Sequence, residues 1–196
     1  MGNKVVGVDV LYNVRSRNIE VSGKKLKPNT RYYVFMENQD MTEYAVPKLL
    51  PVVMTKGSFS TGDLMYSVEN PPGTAGKPSI HFRLCTSNHK KGPFNNPTET
   101  YATNPYDSTS LPATYSSTST ILNVDTGGLA HFTKADHIGY VKKGMNLVNK
   151  DGDAEATISD LSLVSDEKGN LIFSLHIPDP TLEGSPLFTT GNNTIR

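Results

Sequence analysis

Apolar residues in this chain come in short runs, and Gly, Pro or Asn stops each run before it can complete three turns of a helix. No segment keeps apolar residues at i, i+3, i+4 and i+7 over that length, although LAHFTKADHIGY has room for one helical turn. The period that does recur is two. Leu171, Phe173, Leu175 and Ile177 fall on one face of a strand whose other face carries Ser174 and His176, and Pro178 and Pro180 end it because neither can donate to a ladder. This reads as a half-buried antiparallel strand. Turn chemistry agrees with the pattern: Pro28 fixes φ and Asn29 tolerates a left-handed turn, while Gly169 supplies the positive φ of a hairpin at SDEKGN. With 16 Gly and 13 Pro in 196 residues, the expectation is an all-β chain, an antiparallel β-sandwich-like domain with a long loop-rich central insertion.

The texture changes twice along the chain. Residues 1–68 form an N-terminal β part, in which VVGVDVLYNV, NIEVSG, RYYVFM and the run around LLPVVM read as strands. Residues 69–128 are crowded with Pro, Asn, Ser and Thr, and only SIHFRLC and TILNV are long enough to be strands. Residues 129–196 return to strand texture and complete the same domain, with GYVKKGMNLV, ATISDLSLV and NLIFSLHI as its strands. The central stretch carries Phe94, Tyr101, Tyr106 and Tyr115, which argues against a simple disordered linker and for an ordered, extended arm. Interface energy concentrates in buried aromatics, so these four are the candidate interface residues. Replacing Tyr106 and Tyr115 together by Ala is then expected to leave the monomer folded and weaken association.

Charge and cysteine content exclude several functions. Nineteen basic and nineteen acidic residues give zero formal charge at pH 7, so no long-range field draws in nucleic acid or an anionic membrane. No apolar run approaches the roughly 20 residues of a membrane span, and MGNKVVGVDV lacks the apolar core of a signal peptide. A single cysteine, Cys85, rules out an intramolecular disulfide and a cysteine-only zinc cluster.

Few constellations suggest catalysis or a metal. His81, Cys85 and His89 have a four-residue spacing that would line them up on a helix, but on a strand His81 and Cys85 stand about 13 Å apart and cannot share an ion. His131 and His137 have no supporting ligands in their surroundings. Asn149, Asp151, Asp153 and Glu155, with Asp160 at the twelfth position, echo a calcium loop, yet Ala154 replaces its glycine and no helices flank it, so a turn between strands is expected. Gly57-Ser-Phe-Ser-Thr-Gly62 lacks the order of a nucleophile elbow, and the carboxylates are scattered singly at turns. The expectation is a protein that is not an enzyme, with no catalytic residue, cofactor or metal.

Two resemblances rest on these residues. Leu26-x-Pro28-x-Thr30-x-Tyr32-x-Val34 resembles the tyrosine-corner segment of fibronectin type III domains, which implies that the Tyr32 hydroxyl pins a crossing chain. A broader likeness spans NIEVSGKKLKPNTRYYVFMENQDMTEY, SNHKKGPFNNPTETYATNPYD, YSSTSTILNVDTGGLA, GYVKKGMNLV, DEKGNLIFSLHIPDP and LFTTGNNTIR. Together these resemble modules of the large tail and baseplate proteins of contractile-tailed bacteriophages, notably those infecting cyanobacteria. The Gly turn, the strand, Ile177-Pro178-Asp179 and Phe188-x-x-Gly191 carry it most firmly. The resemblance implies a virion structural protein in the tail, made in the host cytoplasm, that meets other tail or baseplate proteins and further copies of itself. The competing expectation is a host-receptor or carbohydrate-binding module at the tail periphery, stacking the same aromatics on a surface glycan.

Overall fold

A computed structural model describes residues 12–68, 80–85, 114–131 and 138–196. In chain order the strands are β1 (Arg17–Gly23), β2 (Arg31–Tyr32), β3 (Phe35–Met36), β4 (Gln39–Asp40), β5 (Ala45–Pro47), β6 (Leu49–Lys56), β7 (Phe59–Ser60), β8 (Leu64–Val68), β9 (His81–Arg83), β10 (Thr114–Tyr115), β11 (Ile121–Asn123), β12 (Asn146–Asn149), β13 (Glu155–Ile158), β14 (Leu163–Val164) and β15 (Leu171–Ile177). One short helix, α1 (Thr126–His131), follows β11, a little before the place the sequence reading gave it. Every strand pairing among the described residues is antiparallel. The chain is all-β, as its period-two runs require.

The largest sheet has the order β11-β6-β13-β12-β8-β9, and it curls until its two edges meet. The closure is a bridge between Leu84 and Val124, flanked by bonds from Cys85 N–H to the Asn123 carbonyl at 2.8 Å and from Asp125 N–H to the Arg83 carbonyl at 2.9 Å. Curling satisfies the edge backbone groups and encloses every second side chain. Inside lie Leu50 and Val52 of β6, Ala156 and Ile158 of β13, Leu147 of β12, Met65 of β8, Phe82 of β9 and Leu122 of β11. Opposite Glu155 and Ala156 the register shifts, because Thr55 is an extra residue in β6, a bulge that bends that strand.

A second, three-stranded sheet has the order β1-β15-β5 and its own core. Phe173, Leu175 and Ile177 of β15 pack there with Val34, Met36, Met41, Leu163 and Phe188. β5 and β6 are one bent length of chain. Up to Pro47 it pairs with β15, the Lys48 N–H still reaches the Ile172 carbonyl at 3.0 Å, and from Leu49 onward it belongs to the curled sheet.

Strand β15 departs from the half-buried expectation. Ser174 and His176, on its polar face, are buried as well, because the strand is the middle one of its sheet and the other lobe covers it. The His176 ring stacks on Tyr140 at 5.5 Å and 23°, and Tyr44 meets Tyr140 edge-on at 4.8 Å. Asn18 Oδ1 accepts the Gly139 N–H at 3.2 Å and lies 3.0 Å from His176 Nδ1, so Nδ1 carries the proton. Burial lowers the His176 pKa to about 4.

Local turns follow the sequence closely. Asn29 takes a φ of 47°, and the Lys27 N–H donates to the Tyr32 hydroxyl at 2.9 Å, the tie that the tyrosine-corner resemblance implies. Gly169 has a φ of 74°, and its carbonyl accepts the Leu26 N–H at 2.9 Å. A side chain there would collide with the Leu26 carbonyl oxygen, so glycine is needed twice over.

Candidate functional site

Of the four aromatics expected at an interface, Phe94, Tyr101 and Tyr106 lie outside the described residues, as do His89 and His137. Tyr115 is described, and it faces inward. Its strand β10 pairs with β7, setting it opposite Phe59, and it is 2% exposed within the core of the curled sheet. Burial pushes its phenol pKa up to about 12. Replacing it by Ala would open that core rather than strip a surface, which corrects the expectation that the monomer tolerates the change. Strand β11 belongs to the curled sheet, and β10, paired with β7, adds Tyr115 to its core, although both fall within 69–128.

The remaining sequence candidates turn out to be structural. His81 stands edge-on to Tyr66 at 4.3 Å across the β8–β9 pair. The 149–155 loop is the turn between β12 and β13: Asn149 Nδ2 donates to Asp153 Oδ1 at 2.6 Å and Lys56 Nζ donates to the Gly152 carbonyl at 2.9 Å. Asp153 Oδ1 is thus taken by a protein donor and Glu155 pairs with Lys56 at 3.7 Å, and among the described residues no three His, Cys, Asp or Glu side chains gather as metal ligands.

An apolar groove of about 270 Å³ lies where the outer face of the curled sheet meets the second sheet. Leu49 and Pro51 of β6, Ile121 of β11, Val164 of β14 and Ile172 of β15 line it. Register explains the grouping, since Pro51 pairs with Ile121 and both point away from the filled interior. Ile121 is 46% exposed and Val164 48%, and Val53, two residues beyond Pro51 on the same face, is 58% exposed. Asp160 and Asp166 stand on the rim. Asp166 is committed to its own turn, accepting the Lys168 and Asn170 N–H groups at 2.9 and 2.6 Å. Asp160 is held below the usual carboxylate range: burial raises its pKa, but bonds from Ser162 and Leu161 and the charge of Lys143 outweigh it together.

Polar chemistry is buried at the seam where the curled sheet closes. Lys48 sits at the bend between β5 and β6, and Cys85 follows β9. Lys48 Nζ lies 3.1 Å from Cys85 Sγ and 3.1 Å from the Val124 carbonyl, with the two residues 5% and 2% exposed. The thiol in turn points at the Val124 carbonyl, at 3.4 Å. Burial pushes its pKa up to about 11; the Lys48 charge opposes the rise and Asp125 adds to it. Asp125 Oδ1 accepts the Gly128 N–H at 2.7 Å at the start of α1, and Thr126 donates to Glu20 Oε2 at 2.7 Å. Sequence reasoning missed Lys48, and the available signal was a lone cation inside the apolar run AVPKLLPVVM.

Comparison of this chain with protein-family models, with curated proteins and with solved structures gives no match.

Proposed function

We propose that this chain is a structural module of a virion, a tail or baseplate component that works through protein–protein contacts. The observation that carries the contact part is the open apolar groove lined by Leu49, Pro51 and Ile172, with Ile121 and Val164 half-exposed in it. Scattered single apolar residues on a surface need no explanation, but several grouped on a concave floor favour a docked partner. The tail or baseplate part is supported by the sequence resemblance alone. The partner that suits the groove is an extended apolar segment of a neighbouring tail subunit, lying between the two sheets.

A carbohydrate-binding role would need two aromatic faces open side by side. Among the described residues, the exposed Tyr33 ring already has the Arg31 guanidinium 5.1 Å over it, and Tyr115 is in the core. Of the aromatics expected to stack on a glycan, Tyr115 therefore offers no open face. No helix among the described residues is long and apolar enough to cross a membrane.

Quantitative peptide mass spectrometry on density-purified particles, with tails separated from heads, tests the reading. Recovery with the tail fraction at a fixed copy ratio is expected, and absence from particles overturns it. Replacing Ile121 and Val164 together by Ser removes about 1 kcal/mol of docking burial per residue, enough to weaken association roughly tenfold or more while the monomer stays folded.

A further inference from the structure

The Lys48–Cys85 contact goes beyond an assembly role. One group is an amine and the other a thiol, they come from chain segments 37 residues apart, and they meet at 3.1 Å with almost no access to bulk water. An amine this close to a thiol is the first nucleophile that an oxidised sulfur would encounter. We propose that Lys48 and Cys85 form a site of oxidative cross-linking, joined by a covalent Nζ–Sγ bond after the thiol has met a peroxide.

The chemistry takes two balanced steps. In the first, Cys85 sulfur attacks one oxygen of hydrogen peroxide; the S–O bond forms, the O–O bond breaks and water departs. Sulfur is oxidised by two electrons and peroxide is reduced, leaving a sulfenic acid. In the second, one proton of the Lys48 ammonium leaves with the sulfenic hydroxyl as water, and the nitrogen lone pair this frees forms the N–S bond. A sulfenic acid is known to condense with nitrogen in this manner when no second thiol competes, and the chain has no other cysteine.

The surroundings favour the second step over further oxidation. Lys48 Nζ stands 3.1 Å from the sulfur, so its attack is intramolecular, whereas a second peroxide must arrive from solvent to carry the sulfur on to the sulfinic acid. The side-chain amide of Asn123, the residue whose backbone carbonyl takes the Cys85 N–H, is buried without a hydrogen-bond partner, and an amide can hold a sulfenic hydroxyl. The same burial keeps the thiol protonated, so the first step is slow beside that of an exposed, acidic thiol. Once formed, the bond ties the β5–β6 bend to the closing edge of the curled sheet, and a cross-link of this kind restricts the unfolded chain as a disulfide does.

Prolonged exposure of the full chain to excess hydrogen peroxide, followed by tryptic mapping, tests the site. The sequence predicts that peptide 32–56, uncut after Lys48, is recovered joined to peptide 84–90, the pair lighter by two hydrogen atoms than its separate parts. Dithiothreitol is expected to release both, and the unfolding midpoint of the oxidised protein is expected to lie above that of the reduced one. Cys85→Ser should give neither the joined pair nor the shift. The wild-type map decides the matter even if that variant fails to fold. Recovery of cleavage after Lys48, with Cys85 intact or as sulfinic or sulfonic acid, overturns the proposal.

Discussion

In the curled sheet, the side chains that fill the core sit two residues apart on paired strands: Leu50 and Val52 on β6, Ala156 and Ile158 on β13. In the second lobe, Val34, Met41 and Phe188 lie on no strand at all, and Met36 and Leu163 lie on strands of two residues. The first core is thus positioned by a backbone ladder. The second has a ladder only at β15 and its neighbours, and the rest of it is positioned by side chains that bond to backbone: Thr42 Oγ1 accepts the Val34 N–H at 2.9 Å, and Ser165 Oγ donates to the Lys27 carbonyl at 2.6 Å while accepting the Thr30 N–H at 3.1 Å. Both arrangements satisfy buried backbone groups, but a ladder does so by repetition and the other lobe by individual residues. Single substitutions should therefore find more points of weakness in the second lobe.

The largest effect tests whether the lobes are separate at all. Phe82→Ala in the first core and Phe173→Ala in the second should each cost about 3–5 kcal/mol, because each removes a nearly fully buried ring. The bent β5–β6 length belongs to both sheets, and His176 and Tyr140 pack across the junction. A single cooperative transition is therefore expected in calorimetry, displaced downward by either variant. Two transitions, one moved by each substitution, would show that the shared strand does not couple the lobes.

A smaller effect reads the junction itself. His176 has a pKa of about 4 in the folded chain, against 6.5 for an ordinary histidine, and the cause is desolvation. Between those values the unfolded chain binds a proton that the folded chain refuses, so stability falls as pH drops below 6.5 and goes on falling until about 4. By pH 5 the loss attributable to this ring is about 2 kcal/mol. The carboxylates held below their usual range, Asp40, Asp160 and Asp179, act at lower pH, which leaves the interval from 6.5 to 5 to the histidines. Urea unfolding at pH 7 and pH 5 should show the loss in the wild type and a profile flattened by about that amount in His176→Gln. An unchanged slope would mean that water already reaches the ring and the lobes are less tightly joined there.

These differences also explain what could be read in advance. The alternation of Leu171, Phe173, Leu175 and Ile177 is a local signal, and it marks one face of β15 correctly. Burial of Ser174 and His176 on the other face depends on a neighbour reached only through the fold, so periodicity understated it. Tyr115 is a harder case. A lone inward aromatic on a two-residue strand, followed by Ser-Ser-Thr-Ser-Thr, has no period to reveal it, and from sequence it reads as an interface anchor in an extended arm. Closure of the curled sheet rests on Leu84 meeting Val124, a pairing of distant segments that leaves no local trace. Lys48 was visible as a charge in an apolar run, but its partner Cys85 was not, because the contact exists only once that closure has formed.

The smallest effect concerns a tie in the second lobe that the tyrosine-corner resemblance implies. Tyr32→Phe keeps the ring against the second core and removes only the hydroxyl that receives the Lys27 N–H. That bond is exposed to solvent, so water can take over the freed N–H, and the cost should be about 1 kcal/mol or slightly less. Ser165→Ala removes both a donor to the Lys27 carbonyl and an acceptor for the Thr30 N–H from a buried position, and it should cost more. Denaturant midpoints for the two single variants and their double set the tyrosine corner against the serine. Both hold the same stretch of chain through Lys27, so the double variant should lose less than the sum of the singles if breaking either tie already releases the turn. Strict additivity would mean that Pro28 and the left-handed Asn29 fix the turn by themselves, and that this part of the second lobe, like the ladder of the first, is set by its backbone.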